Sequence, residues 1–527
     1  MNPGNDSADA TPPNFLFICT DQQRADHTGF GGNPLLDTPN LDSLAASGTV
    51  FDRALVANPI CMPNRCSIIT GRMPSVHGTR VNGVALRPDT NTFLRVLRSG
   101  GYRTSHIGKA HLQNMGYRPE VTAKLFPPEV GDARIDPFPS GWDRQEAVER
   151  FGEGPVPPVT DFYGYERADI VSFHGDMCHG HYHWWLRDQG VDPRSLQGPG
   201  NATASFPEWN QVYRTALPVE LHPTSYVGLR TVAEIEAAAA DGRPFFIHAS
   251  FPDPHHPFTP PGRYWDLYDP DEIPLPESFE DPHTNSMPQI REVAAHRGRP
   301  PHSVEYWAPT EHQFRHAAAA EYGAITLIDE QVGAMLEALR RTGHDRDTVV
   351  MFTSDHGDMF GDHGLLLKMG IHYQGCLRVP LVISDPGRGT ARNSSSLVSS
   401  LDLAQTVLEL AGLPEFRGMQ GHSLVPLLDD PDVEVRTALM IEEDEQDDPF
   451  GVGMPLRMRT LVTDRARLTT YRGLDEGELF DLDGDPLEMH NLFGDSAARA
   501  LRCEMAELLA TEMAAMADES PRPTHRA

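Results

Sequence analysis

Residues 15–22, Phe15-Leu16-Phe17-Ile18-Cys19-Thr20-Asp21-Gln22, decide the fold. The apolar run through Thr20 shows no polar alternation, the pattern of a strand buried on both faces of a parallel sheet, and it ends on a carboxylate. The same design recurs: Tyr102 to Ile107 leads into Gly108-Lys109-Ala110-His111, Phe245 to Phe251 into Asp253-Pro254-His255-His256, and Val349 to Thr353 into Ser354-Asp355-His356. Helical stretches lie between. Thr38-Pro39 opens one that Gly48 closes, and Ile325, Ile328, Val332, Met335, Leu336 and Leu339 recur at helical spacing up to Gly343. This alternation predicts an α/β fold with a mostly parallel central sheet flanked by helices. Ligands of open parallel sheets bind beyond the carboxyl ends of the strands, so strand ends carrying Asp, His and Lys imply one shared rim.

Residues 116–215 and 252–312, rich in Pro, Gly, His and aromatics with weak periodicity, read as insertions over that rim. Beyond about residue 430 the character changes. Short alternating runs (Thr437–Ile441, Met458–Thr463, Leu468–Tyr471) precede a helix near Ala497–Met516. The chain thus divides into a catalytic domain, 1–430, and a smaller C-terminal α+β domain, 431–527, whose tail is expected to fray from Asp518. With 527 residues and 39% hydrophobic content it can bury a large core.

The 44 Lys and Arg against 75 Asp and Glu give a formal net charge of −31, which repels nucleic acid and anionic membranes. Neither is expected as a partner, and an anionic substrate must be drawn by local cations. Cys19, Cys61, Cys66, Cys178, Cys376 and Cys503 lack the close paired spacing of a disulfide framework or a zinc ribbon, which suits a reducing compartment. Residues 1–13 are polar, and the run Phe15–Cys19 is too short for a signal-peptide core or a membrane span, so a cytoplasmic protein is expected.

In Cys61-Met62-Pro63-Asn64-Arg65, Pro63 suits the first position of a helix that Gly71 ends. That sets Cys61 beside the positive end of the helix dipole, with Arg65 one turn on. Such a thiol is drawn toward its anion, and the free N–H groups can bind a tetrahedral oxyanion; a buried cysteine at a helix start is the plainer alternative. Asp21, Asp355 and His356, from distant strand ends, combine hard carboxylates with an imidazole and can hold one divalent cation. Lys109 and His111, two apart beyond a strand, can face one side and meet the same substrate oxygens. Asn82, in Val81-Asn82-Gly83, suits a turn. His174, Cys178, His179, His181 and His183 do not match a closed four-ligand zinc site, and pocket lining or packing is their expected role.

Cys61-x-Pro63-x-Arg65, with Thr70-Gly71 beyond four intervening residues, resembles the signature of type I sulfatases and the related phosphonate monoester hydrolases of the alkaline phosphatase superfamily. The resemblance runs along nearly the whole chain. It includes Asp21-Gln22, Gly108-Lys109-x-His111, His255-x-Pro257-Phe258, Ser354-Asp355-His356-Gly357, Lys368, Arg378-Val379-Pro380, Leu479-Phe480-Asp481-Leu482 and Asp485-Pro486-x-Glu488-x-x-Asn491-Leu492. It implies that a formylglycine-generating enzyme oxidises Cys61 to formylglycine. It also implies that Asp21, Gln22, Asp355, His356 and residue 61 bind one Ca2+ or Mn2+, that Arg65, Lys109, His111, His255 and Lys368 are catalytic, and that Asn82 binds substrate. His256 is the rival to His255.

The reaction so implied is hydrolysis of small sulfate monoesters, aryl sulfates above all. One hydroxyl of hydrated formylglycine attacks sulfur, His255 and Lys368 serve the leaving oxygen, and His111 acts as base on the second hydroxyl. Asp21-Gln22 and Asp355-His356 depart from the sulfatases' usual Asp-Asp and Asp-Asn toward the phosphonate hydrolases. Phosphonate monoester or phosphodiester hydrolysis therefore stands as the alternative. An inactive, sulfatase-like binding module is a third reading, opposed by the intact signature. Related cytoplasmic enzymes imply a dimer or tetramer.

Overall fold

Every residue of β1 (Asn14–Thr20) is buried, as a run without polar alternation requires. Phe15, Phe17 and Cys19 enter one apolar layer, Leu16 and Ile18 the other. The computed structural model describes residues 12–525 apart from 117–132, 136, 153, 302–304, 390 and 449. Joining β1 in one sheet are β2 (Thr49–Phe51), β3 (Arg103–Gly108), β4 (Val159–Phe162), β5 (Tyr165–Ser172), β6 (Phe245–Ser250), β7 (Thr348–Ser354), β8 (Leu381–Ser384) and β9 (Arg392–Ser394). Their spatial order is β9-β2-β8-β7-β1-β6-β3-β5-β4. The central run β7-β1-β6-β3-β5 is parallel, while β8 is antiparallel to β7 and β2, and β4 to β5.

β5 lies within 116–215, whose weak periodicity reads as an insertion over the rim, yet it pairs in parallel with β3 and extends the sheet. Its apolar pattern is broken by Asp169, which is buried against Tyr226 Oη at 2.7 Å and Arg230 Nε at 3.1 Å. A charged residue inside a buried strand hides it from pattern reading.

Helices cover both faces. On one, α1 (Pro39–Ala46), α3 (Pro223–Asp241) and α4 (Glu311–Thr342) pack on Leu16 and Ile18. The last starts in a capping box of Thr310 and Gln313 and stops where Gly343 adopts φ 80°. On the other, Ile68 and Ile69 of α2 (Cys61–Thr70) and the apolar side of α5 (Asp402–Leu410) cover Phe15 and Phe17. α2 begins at Cys61 itself, so Pro63 lies within its first turn rather than opening it, and Gly71 ends it at φ 62°.

Beyond them β10 (Ala438–Asp444), β11 (Arg457–Thr463), β12 (Ala466–Tyr471) and β13 (Gly477–Asp481) form an antiparallel sheet in that order, with Met505 and Leu509 of α6 (Arg499–Ala515) packed on it. Its edge braces the approach to α2: Glu442 N–H donates to Ala57 O at 3.0 Å and Asn58 Nδ2 to Glu442 O at 2.6 Å. From Asp518 on, the tail contacts the rest of the chain. Arg72 binds Asp518 Oδ1 and Ser520 Oγ at 2.5 and 3.0 Å, and Arg417 Nε donates to Glu519 O at 2.9 Å. All six cysteines are free thiols. Among the described residues no helix is long and apolar enough to cross a membrane.

Candidate active site

Backbone pairing continues past the strand ends. Asp21 N–H donates to Asp253 O at 3.1 Å, Lys109 N–H to Ser250 O at 3.0 Å, and Asp355 N–H to Thr20 O at 3.1 Å. These bonds set side by side the first polar residues of segments far apart in sequence. The N-terminus of α2 faces them, and Asn82 Oδ1 accepts the Met62 N–H at 3.2 Å, so this asparagine caps the helix.

Cys61 Sγ lies 3.0 Å from His356 Nε2, 3.5 Å from Lys368 Nζ and 3.7 Å from Asp21 Oδ1. Burial and Asp21 push its thiol up, but Lys109, Lys368 and His356 outweigh them and draw it below its ordinary value. From the next turn Arg65 donates through Nε to Asp355 Oδ2 at 2.7 Å and through Nη1 to Lys109 O and Ser250 Oγ, each at 2.8 Å. Its Nη2, 3.5 Å from Asp21 Oδ2, has no hydrogen-bond partner. Lys109 has no solvent exposure; its ammonium donates to Asp21 and to His174 Nε2, the latter at 2.6 Å.

The ligand atoms of Asp21, Cys61, Asp355 and His356 lie within 4.8 Å of one another, all buried. His356 Nδ1 donates to Gly357 O at 2.9 Å, which turns the lone pair of Nε2 toward Asp355 and Asp21, 3.5 and 3.6 Å away. Two carboxylates and an imidazole so oriented fit one divalent cation. Gln22 is engaged differently: its amide oxygen accepts from Lys368 at 2.6 Å, Nε2 donates to Asp358 at 2.5 Å, and its backbone N–H donates to Asp355 Oδ1 at 3.1 Å. It ties Lys368 to the carboxylate cluster.

Lys368 sits between Leu367 and Met369, at φ 72° and 87°, a backbone that L side chains rarely adopt. Asp358 Oδ1 accepts the Leu367 N–H at 2.8 Å and Glu443 Oε1 the Gly370 N–H at 2.6 Å, which hold that loop. Three of the site's histidines, His111, His255 and His256, are held toward the neutral form, whereas Asp355 and Cys61 raise His356 above its ordinary value against burial and Lys368. Burial, then Lys109 and Arg65, hold His111 well below the ordinary value, and burial with His174 and Lys368 does the same for His255. Burial and Lys368 bring His256 to about 3. His255 stacks on His256, with Gln22 Nε2 3.3 Å from His256 Nδ1, so both histidines line the site.

His174, grouped in the sequence with histidines expected to line a pocket or pack, lines the site beside Lys109, a contact that sequence reasoning missed. It stacks on His255 with ring centroids 3.6 Å apart, away from the rest of its histidine-rich segment. His179 and His183 stack on each other, and His181 bonds the backbone of Ile170 and Pro157. Asn64, inside the signature, was also missed: its Oδ1 accepts from Ala57 N–H at 3.2 Å and Ser400 Oγ at 2.7 Å, and its amide donates to Asp355 O.

The family profile described as Sulfatase matches residues 13–127 and 176–413, and that described as N-sulphoglucosamine sulphohydrolase, C-terminal, matches 361–515. The chain is 29% identical over 489 residues to an arylsulfatase of Clostridium perfringens, covering 91% of this chain and 90% of that one. It is 28% identical over 491 residues to a choline-sulfatase of Rhizobium meliloti, covering 91% and 82%. Its structure is similar to a phosphonate monoester hydrolase of Agrobacterium radiobacter, with a TM-score of 0.76 at 26% identity over 96% of each chain.

Proposed function

The chain belongs to the sulfatase family and is a sulfuric ester hydrolase, and we propose that it cleaves aryl sulfate monoesters at the rim around Cys61, within a catalytic unit of residues 1–430. The observation that carries this reading is the juxtaposition of the buried Asp21, Cys61, Asp355 and His356 with the cations Arg65, Lys109 and Lys368. In a chain of net charge −31, such a local cluster is what draws an anionic ester.

Oxidation of Cys61 by a formylglycine-generating enzyme would supply an aldehyde hydrate, whose hydroxyl replaces the thiol as nucleophile. Asp21, Asp355 and His356, with residue 61, would hold one Ca2+ or Mn2+, which supplies Lewis acidity there. The chain's own groups do the rest. Arg65 Nη2, buried and without a partner, and the ammonium groups of Lys109 and Lys368 bind the sulfate oxygens and meet charge developing on them. Burial, Lys109 and Arg65 hold His111 well below its ordinary value, and its buried Nδ1 has no hydrogen-bond partner, which supports that nitrogen as the proton acceptor. His255 and Lys368 serve the leaving oxygen. Burial of the whole cluster keeps bulk water from competing.

Phosphonate monoesters are the second reading, favoured by Gln22 and His356 beside the two carboxylates and by the likeness to the Agrobacterium enzyme. The test of the first reading joins two measurements on one preparation. Turnover of a nitrophenyl sulfate is expected, together with a residue-61 peptide whose mass matches formylglycine or its hydrate. Turnover by protein carrying only the unmodified thiol would sink the nucleophile assignment.

A further inference from the structure

Glu146 is fully buried and belongs to none of the groups so far assigned a role. Its side chain is satisfied by three consecutive backbone donors: Oε2 accepts the His111 N–H at 2.6 Å, and Oε1 those of Leu112 and Gln113 at 2.7 and 2.9 Å. His111 itself adopts φ 49°, a left-handed conformation that a residue with a Cβ enters only when its surroundings impose it. Three N–H groups converging on one carboxylate impose it, because an unmet carboxylate or an unmet amide would otherwise be left in the interior. Burial pushes the Glu146 carboxyl up to about 7 against the pull of those donors and of Arg65, and among the described residues these three N–H groups are its hydrogen-bond donors.

The clamp has further anchors. Gln113 Oε1 accepts the Gln145 N–H at 2.8 Å, and Gln113 Nε2 donates to Trp142 O at 3.1 Å and Tyr163 Oη at 3.0 Å. The backbone oxygen of Glu146 accepts from Ser172 Oγ at 2.6 Å, at the end of β5 and two residues before His174. One residue thus joins the loop after β3, which carries His111, to the end of β5, which leads to His174.

We propose that Glu146 is a positioning residue for sulfate ester hydrolysis, holding the loop 111–113 so that the His111 imidazole faces the nucleophile. The inference rests on the reading of His111 as proton acceptor. Glu146→Gln keeps the size but offers one acceptor oxygen and turns an NH2 group toward a backbone N–H. Kcat on nitrophenyl sulfate, per formylglycine, is expected to fall roughly tenfold to hundredfold, with KM changed less than about threefold because the sulfate-binding cations are untouched. In the His111→Ala background the same change should cost less than about twofold more, since the effect runs through His111. Amide exchange at residues 111–113 should quicken about tenfold or more in Glu146→Gln, independently of any activity. Losses that multiply in the double variant, or unchanged exchange at 111–113, overturn the proposal. A parent protein inactive on sulfate esters overturns the functional reading instead, and the exchange experiment still decides the clamp. Should Glu146→Gln not fold, Glu146→Asp, which draws the charge back by one carbon, is read in the same way.

Discussion

Lys109→Met removes a cation without solvent exposure whose ammonium binds Asp21 and His174. In the free protein Asp21 loses its strongest opposing charge but keeps Arg65 at 3.5 Å, so the loss of stability stays below the ~3–5 kcal/mol of a fully orphaned buried charge. In the transition state a preorganised donor in a dry site is worth ~3–4 kcal/mol, roughly 10²–10³-fold in kcat/KM. Specificity should move too. A sulfate monoester presents three terminal oxygens sharing one charge, whereas a phosphonate monoester replaces one by carbon and leaves a buried donor unpaired, at ~1–3 kcal/mol or roughly tenfold to hundredfold in rate. We therefore expect the parent to prefer nitrophenyl sulfate over nitrophenyl phenylphosphonate, and Lys109→Met to shrink that ratio toward one. The assay is kcat/KM for both esters, which share a leaving group, on preparations matched for formylglycine and metal content. A variant that keeps sulfate turnover within about threefold of the parent, or loses both esters by one common factor, refutes Lys109 as a donor to the sulfate oxygen.

Three further outcomes are expected. Asp355→Ala should lose bound metal and activity together, read by elemental analysis and turnover; full metal occupancy in that variant would show that the ligand set is misassigned. His111 is held below the ordinary histidine value of about 6.5, so its neutral, proton-accepting form persists as pH falls. The acid limb of kcat should accordingly lie below that pH, and nearby metal charge pushes the same way; a limb above it contradicts the role. Glu443→Gln breaks one of the two bonds that Glu443 makes to Gly370 N–H and His372 Nε2, at 2.6 and 2.8 Å. At ~1–3 kcal/mol for the unmet partner, the melting temperature should fall by several degrees and turnover with it as Lys368 loses its support; unchanged turnover would mean that this loop does not depend on the C-terminal sheet.

Much of the architecture is legible along the chain because it rests on local regularities. Apolar runs too uniform for a half-exposed strand force burial on both faces, and their polar terminators must gather at one rim, so Asp21, Lys109, His255, Asp355 and His356 could be named from the sequence. The order of motifs around Cys61 marks the chemistry. What the sequence withheld are contacts between side chains far apart in it that follow no period. β5 escaped because Asp169 interrupts it, and that charge is tolerable only with Tyr226 and Arg230 beside it. His174 lay hidden in a histidine-rich stretch, where nothing local separates the ring beside Lys109 from those that merely pack. Gln22, two positions from a strand end, reads as a ligand, and nothing in the sequence reveals that its amide oxygen accepts from Lys368, 346 residues away. Glu146 carries no local signal at all, since its partners are backbone N–H groups, which every non-proline residue has; only the tertiary path decides which of them converge on one buried carboxylate.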